Sequence, residues 1–311
     1  MRDLPRHGHE PIGLDIAASP HTTHVGSISD AGLVRDAMSG ADAVFHTATL
    51  HKPHVATHAK SDFVETNISG TLTLLEAAVA HGIDRFIFTS TTSAFGAALV
   101  PAADAPATWV DVAALAAPKN IYGVTKTAAE DMCHLFARRH QLNSAVLRVS
   151  RFFPEEDDNP EMRATYPDEN SKANEFLFRR IDLSDIVSAH VAALDHVRTL
   201  GFDRYVISAT TPFQKTDCQE LRRDAPTVVA RYFPQYAEIY AERGYRMFPD
   251  IGRVYDNARA RRDLQWAPEF GFSRILQQLQ QRQPIGSDLA HEIGSKGYHD
   301  EIFEDGPFPV E

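Results

Sequence analysis

Tyr122 and Lys126 lie one helical turn apart in the run Tyr122-Gly123-Val124-Thr125-Lys126, so a helix would carry a phenol and an ammonium on one face. A free tyrosine ionises near ~10, and a neighbouring cation favours its phenolate. Such a pair suits the proton transfer that accompanies hydride transfer at a carbinol. Some thirty residues upstream, Phe86-Ile87-Phe88-Thr89-Ser90-Thr91-Thr92-Ser93 brings a string of hydroxyls to the end of an apolar run. The carboxyl ends of strands are where open α/β sheets bind ligands. The third feature is Asp15, closing the run PIGLD. A carboxylate there can accept both hydroxyls of an adenosine ribose and would repel a 2′-phosphate. Ile16, Ala17 and Ala18 follow with no arginine to greet such a phosphate, which favours NAD over NADP. Each signal is weak alone: nine tyrosines can yield one Tyr-x-x-x-Lys by chance, and an aspartate often just ends a strand. Their order along the chain gives them weight.

These residues need rigid elements beneath them. Pro11–Asp15, Ala43–His46, Arg85–Thr89 and Ser144–Arg148 read as short β runs, and Asp30–Met38, Asp62–His81 and Tyr122–His140 as helices. The last places Tyr122, Lys126, Ala129, Cys133 and Phe136 on one face. Gly82 stops the second. Strands separated by helices imply βαβ units, hence a Rossmann-like α/β fold with a doubly wound parallel sheet. After residue 150 the texture changes. Phe153–Tyr166 is acidic and reads as a loop, a helix is expected at Leu183–Val197 and a strand at Arg204–Ser208, and from Thr211 onward helices such as Gln219–Asp224 and Pro234–Arg243 predominate. The expected organisation is a cofactor domain over 1–150 and a smaller, mostly helical substrate lobe over 151–311. Helix 183–197 and strand 204–208 would return to the first domain. The last dozen residues, with five carboxylates, read as an extended tail.

Composition narrows the function classes. With 311 residues, 43% hydrophobic and 23% charged, the chain resembles an ordinary globular protein. A net charge of −11 without a Lys/Arg cluster argues against nucleic acid as a partner, since phosphate neutralisation supplies most of that affinity. No apolar run is long enough to span a bilayer and no secretory signal opens the chain. Cys133 and Cys218 lie far apart in sequence, which suits a reducing cytoplasm. Fifteen histidines raise the question of a metal. His51, His54 and His58 could share a helical face, but no carboxylate or cysteine follows at useful spacing, and zinc wants three or four converging ligands. They read as solvated loop histidines, and no metal is expected. Glu155-Glu156-Asp157-Asp158 lacks the alternation of a calcium loop. His46 reads as a core histidine satisfied by backbone groups that orients a loop.

Taken together, GLDIA (13–17), FHTATLHKP (45–53), ETNISGTLTLLEAA (65–78), RFIFTSTTSAFG (85–96), NIYGVTKTAAE (120–130), AVLRVSRF (145–152) and DLSDIVSAHVAALD (182–195) resemble the extended short-chain dehydrogenase/reductases, the NAD-dependent epimerase/dehydratase family. DNARARRDLQWAPEFGF (256–272) is similar to the segment after the substrate region in these enzymes. The resemblance implies a catalytic set of Thr91, Tyr122 and Lys126, with Thr91 binding the substrate oxygen and Lys126 binding the nicotinamide ribose and lowering the tyrosine pKa. It implies a cofactor site of Asp15, Ile16, Ser27, Ile28, Thr47, Ala48, Thr49 and Asn67, shared with Tyr122 and Lys126. Thr92 and Arg151 would face the substrate, a sugar or nucleotide sugar, and a homodimer is allowed. The implied activity is epimerase/dehydratase-type oxidoreduction of a secondary sugar hydroxyl. The alternatives are a simple sugar or alcohol dehydrogenase, or a non-catalytic NAD(P)-binding protein of the same fold.

Three departures stand out. The family opens with a strand and a Gly-x-x-Gly-x-x-Gly turn about thirty residues before the aspartate, whereas here only Gly8 and Gly13 precede Asp15. The missing strand would lie between those of Asp15 and Ala43–His46, and the pyrophosphate would lose its glycine turn. Ser27 replaces an aspartate that commonly contacts adenine, and Arg151 replaces an asparagine that contacts substrate.

Overall fold

The computed structural model describes residues 1–295 together with Gly297, Glu301 and Phe303. The expected acidic tail lies, but for those last two residues, outside the described part. Eight strands occur among the described residues: β1 (Leu14–Asp15), β2 (His24–Val25), β3 (Val44–His46), β4 (Arg85–Thr91), β5 (Thr108–Val110), β6 (Asn143–Val149), β7 (Phe202–Ile207) and β8 (Arg253–Tyr255). They form a four-stranded sheet in the order β3-β4-β6-β7 and two-stranded sheets β1-β2 and β5-β8. The pairs β1/β2, β3/β4 and β5/β8 are parallel.

The chain separates into two compact units that interleave along the sequence. The first comprises Met1–Ala94, Pro118–Arg148 and His190–Tyr205. Its centre is β4, where Phe86, Ile87 and Phe88 are fully buried. A strand covered on both faces must be apolar on both, hence the unbroken run. Val44, Phe45 and His46 pair in register with Phe86, Ile87 and Phe88. The helices Ala31–Ala37, Gly70–Ala80 and Ile121–His140 match the expected amphipathic runs to within a residue or two at most ends. The Asp62–His81 run is subdivided: α-helix over Lys60–Phe63, a π-helical turn over Val64–Ser69, then α-helix again from Gly70. Gly70 is fixed by packing, because a Cβ there would lie 2.6 Å from the Ile28 side chain.

Among the described residues no strand joins β1 to β3, so the β1-β2 pair stands apart from the larger sheet. Pro11–Asp15 accordingly yields only two strand residues.

The first unit is tied together at Glu130, whose side chain is fully buried. Its carboxylate accepts the Ser90 hydroxyl of β4 at 2.6 Å, two bonds from Arg148 Nε and one from Arg148 Nη2 of β6, and one from Arg204 Nε of β7 at 3.0 Å. One carboxylate on the Ile121–His140 helix thus grips three adjacent strands.

The second unit comprises Phe95–Ala117, Val149–Ala189 and the chain from Val206 onward. Its core joins Phe176, Leu177, Leu221, Val228, Tyr240 and Phe272. The expected loop at Phe153–Tyr166 contains a short helix, Pro160–Thr165, started by Asn159, whose side chain accepts the Glu161 N–H. Asp185 accepts the backbone N–H groups of Glu269 and Phe270 at 2.7 and 3.0 Å, and Asp182 accepts that of Ser287 at 2.9 Å. The carboxylates of the DLSD run therefore anchor later chain segments.

Glu130→Gln keeps the shape but leaves Arg148 buried without its counter-charge. Breaking a buried pair typically costs about 3–5 kcal/mol. A loss of that size in unfolding free energy, read from urea denaturation at unchanged m-value, is the expected outcome.

Candidate active site

The candidate site forms where β4 ends and the Ile121–His140 helix begins. Asn120 caps that helix, its Oδ1 accepting the Gly123 N–H at 3.0 Å. Gly123 must be small: a Cβ there would lie 2.7 Å from Pro118 Cβ and 2.9 Å from the Ser93 carbonyl oxygen. That close approach brings the first helical turn onto the chain leaving β4. Thr91 Oγ1 accepts the Ser93 N–H at 3.1 Å, and its hydroxyl lies near enough to the Tyr122 phenol to favour the phenolate. The expected Thr91–Tyr122 pair is therefore assembled.

Lys126 lies one turn on, almost fully buried, with its Nζ 4.0 Å from the centre of the Phe88 ring. The electrostatics differ from expectation. Burial pushes the Tyr122 phenol up to about 12, and the Thr91 hydroxyl offsets this only partly. Burial pulls Lys126 down to about 7, with the charges of Glu130 and Cys133 opposing the shift. The expected lowering of the tyrosine by Lys126 is thus not in place here. Sequence spacing put the two groups on one helical face, and burial dominates the ionisation of each.

Asn67, expected to line the cofactor, is held by four hydrogen bonds. Its Oδ1 accepts Thr49 Oγ1 at 2.9 Å and Leu50 N at 2.8 Å, while its Nδ2 donates to the Leu50 carbonyl at 3.1 Å and Thr125 Oγ1 at 3.0 Å. A side-chain amide engaged four times is a clamp, fixing the loop after β3 to the helix that carries Tyr122. Thr49 is spent on the same clamp. His46 is buried as expected, but its Nε2 meets the Thr71 hydroxyl at 2.8 Å rather than a backbone group. Thr71 passes that bond to the Asn67 carbonyl at 2.7 Å. Burial, then the Lys126 charge, hold His46 well below the usual imidazole range.

Of the remaining expected cofactor residues, Asp15, Ile16, Ser27 and Thr47 are exposed, and Ala48 is partly buried against the core. Asp15 Oδ1 accepts the Ala17 N–H at 2.9 Å, which steadies the carboxylate at the end of β1. Ser27 Oγ accepts the Ser29 N–H at 3.1 Å. Ile28 is instead a core residue, packed on Gly70. Thr92 follows Thr91 in a 3-10 turn.

Arg151 belongs to the second unit, where its guanidinium lies 3.1 Å from Asp157, 3.5 Å from Asp158 and 3.7 Å from Glu175. Arg179 and Arg180 complete this cluster around Glu175, at 2.6 and 2.9 Å. Despite burial, the three arginines hold the Glu175 carboxyl at about 2. Arg151, expected to face the substrate, is engaged in these ion pairs. The partners come from a loop and a helix that sequence spacing does not bring together.

His51 is the residue that sequence reasoning misplaced. Its ring centre lies 6.0 Å from that of Tyr122, so it packs beside the acid/base candidate instead of lying in a solvated loop. Its proximity follows from the Asn67 clamp, which leaves no local sequence signal.

The sequence model of the NAD dependent epimerase/dehydratase family matches residues 1–208. A dTDP-glucose 4,6-dehydratase of Streptomyces antibioticus is 31% identical over 137 residues, which is 44% of this chain and 39% of that protein. The chain thus spans about two fifths of that dehydratase. A UDP-glucose 4-epimerase of Rhizobium meliloti (strain 1021) is 26% identical over 304 residues, covering 87% of this chain and 88% of that one. Among solved structures, a short-chain dehydrogenase/reductase superfamily protein from Agrobacterium tumefaciens with bound NAD superposes with a TM-score of 0.60 at 20% identity, covering 94% of each chain. A Thermotoga maritima UDP-glucose 4-epimerase with UDP-glucose gives 0.59 at 21% identity, covering 90% of this chain and 94% of that one. These likenesses establish the Rossmann-like α/β fold.

The residues present fit the two sugar ends of a nicotinamide dinucleotide. Asp15 carries an exposed carboxylate at the end of β1 that suits an adenosine ribose, and Lys126 follows Tyr122 by one turn of the same helix. No glycine turn for the pyrophosphate occurs near β1 among the described residues. Gly13 serves the fold: a Cβ there would lie 2.0 Å from the His21 carbonyl oxygen.

Lys126 carries a pH signature. Its folded pKa, about 7, lies below that of a free lysine, near ~10.4. The unfolded chain therefore binds more protons between those values, so burial costs most below pH 7 and progressively less as pH rises towards 10. Lys126→Met is expected to raise the Tm of the cofactor-free protein most at pH 6, with the gain shrinking towards pH 10. Thermal melts across that range test it, and a pH-independent difference would contradict the assignment.

Proposed function

The chain belongs to the NAD-dependent epimerase/dehydratase family, and from that premise we propose that it oxidises and reduces a secondary hydroxyl of a sugar, in the first instance a nucleotide sugar. The observation that carries this reading is the approach of Thr91 at the end of β4 to the Tyr122 phenol, with Lys126 one turn along the same helix. NAD, when bound, supplies the hydride acceptor and donor. Asp15 would hold its adenosine ribose and Lys126 its nicotinamide ribose. The neutral phenol of Tyr122 is ready to give a proton to a carbonyl oxygen as that carbon is reduced. In the oxidising direction Tyr122 takes the carbinol proton as a phenolate. The Thr91 hydroxyl beside it can stabilise that phenolate. Thr91 also orients the substrate oxygen, and Thr92 lies next to it.

An epimerase returns the hydride to the opposite face of the keto intermediate, whereas a dehydrogenase stops after the first half-reaction. The long match to a UDP-glucose 4-epimerase supports the former. A cytoplasmic setting is supported by Cys133 and Cys218, both buried free thiols. Incubation with UDP-glucose, UDP-galactose or dTDP-glucose and substoichiometric NAD, followed by sugar analysis, tests the proposal. Epimers accumulating without net NADH are expected; NADH rising in proportion to oxidised sugar marks a dehydrogenase instead.

Tyr122→Phe removes only the hydroxyl, so NAD affinity should persist while turnover falls ~10²–10⁴-fold, the usual contribution of general acid/base catalysis. Near-normal turnover in NAD-loaded Tyr122→Phe protein would remove the mechanism. Calorimetric titration should show NAD preferred over NADP, with Asp15→Ala narrowing the difference. Equal affinity for the two in the unmodified chain would sink the ribose assignment.

A further inference from the structure

The second unit gathers arginines from three stretches of chain that its backbone lays side by side. Arg151 lies just beyond β6, Arg179 and Arg180 follow the helix Asp168–Glu175, and Arg253 opens β8. The Arg151 N–H donates to the Arg179 carbonyl at 3.1 Å, and the Tyr255 N–H of β8 donates to the Phe178 carbonyl at 3.0 Å. Alternate residues of a strand share a face, so Arg253 stands on the same side of β8 as Tyr255. It accordingly lies in the field of Arg179, which repels it, and of Glu175, which attracts it.

Four guanidinium groups thus meet three carboxylates, and the pairing is unequal. Arg151 reaches Asp157, Asp158 and Glu175, and Arg179 reaches Asp157 and Glu175. Arg180 pairs with Glu175 and donates to the Phe153 carbonyl at 3.0 Å. Among the described residues no carboxylate lies within ion-pair distance of Arg253. The Nε groups of Arg151, Arg179 and Arg253 are buried, and none meets a hydrogen-bond acceptor among those residues. Buried donors without acceptors are costly, and more so on a cation. The surplus is one positive charge, which matches a carboxylate better than a dianionic phosphate. The planar fork of a guanidinium also fits the two oxygens of a carboxylate. Arg180 and Glu175 are almost fully buried, whereas the side chains of Arg151 and Arg179 are partly exposed, so solvent reaches the cluster on their side.

We propose that Arg253, supported by Arg179, binds the carboxylate of a sugar acid, a hexuronate either free or nucleotide-linked. This rests on the sugar reading given above and makes an acidic sugar the preferred substrate. A carboxylate at Arg253 completes the one pairing that the cluster's own acids leave unmade. A neutral sugar, bringing hydroxyls alone, leaves the surplus charge in place.

Calorimetric titration of the full chain with glucuronate against glucose, and with UDP-glucuronate against UDP-glucose, tests the proposal. In at least one pair the acid should bind roughly ten- to a hundredfold more tightly than its neutral counterpart, the usual effect of hydrogen bonds to a charged group. Which pair shows the difference tells whether the sugar acid is taken free or nucleotide-linked. Arg253→Met should abolish the preference while leaving the affinity for the neutral sugar and for NAD unchanged. Arg253→Lys, which keeps the charge but not the fork, should fall between. An unpaired cation does not stabilise the fold, so ligand-free Arg253→Met should melt no lower than wild type. Equal affinities within both wild-type pairs, a preference that survives in Arg253→Met, or a Tm lowered by that substitution would each overturn the carboxylate site and leave the Tyr122 reading intact. Acid-selective binding by a wild-type protein that oxidises none of these sugars with NAD would support the site and overturn the Tyr122 reading instead.

Discussion

Glu130 is the residue on which the candidate site depends most. A carboxylate removed from water is costly unless it is paired and its oxygens are bonded. Here Ser90, Arg148 and Arg204 provide that pairing from three neighbouring strands. The geometry is over-determined: the Ile121–His140 helix cannot slide or rotate without stranding a buried charge. Tyr122 and Lys126 lie two turns and one turn upstream on that helix, so the ion pair fixes their depth over β4. Apolar packing through Ala129 and Cys133 would hold the helix against the sheet but would tolerate small shifts.

A second, uncharged constraint acts at the mouth of the same helix. Asn67 lies in the π-helical turn, where the altered winding presents its amide to two segments at once. It bonds Leu50 on one side and Thr125 on the other, with Thr71 of the following helix linking its carbonyl to His46 of β3. The loop after β3 is thereby held to the catalytic helix, and His51 comes to rest beside Tyr122. Gly123 and Asn120 complete the arrangement by allowing the helix to start hard against the end of β4. Burial then sets the ionisation of the site. It keeps the phenol protonated, brings the lysine near neutrality and holds two histidines neutral, so ligand binding meets a site with little fixed charge.

Much of this was legible in the sequence. The order of Asp15, the hydroxyl-rich β4 and Tyr-x-x-x-Lys was visible, as were the long helices, because periodicity and local spacing are properties of the chain itself. Short strands such as β2, β5 and β8 were missed because two or three residues carry no period, and only a partner from elsewhere in the chain makes them strands.

What tertiary structure alone decided is how polar side chains are spent. Asn67 and Thr49 clamp the loop after β3, Ile28 packs into the core, and Arg151 pairs with Asp157 and Glu175. His51 looked solvated and lies against Tyr122, while Lys126 stands over Phe88 without lowering the phenol. The reason is the same in each case. Hydrogen bonds and desolvation depend on which groups meet across tens of residues, and one-dimensional spacing specifies only neighbours within a turn or a pleat. The sequence by itself determined the elements and the order of the reactive groups; the packing determined their partners, their protonation and which of them face a ligand.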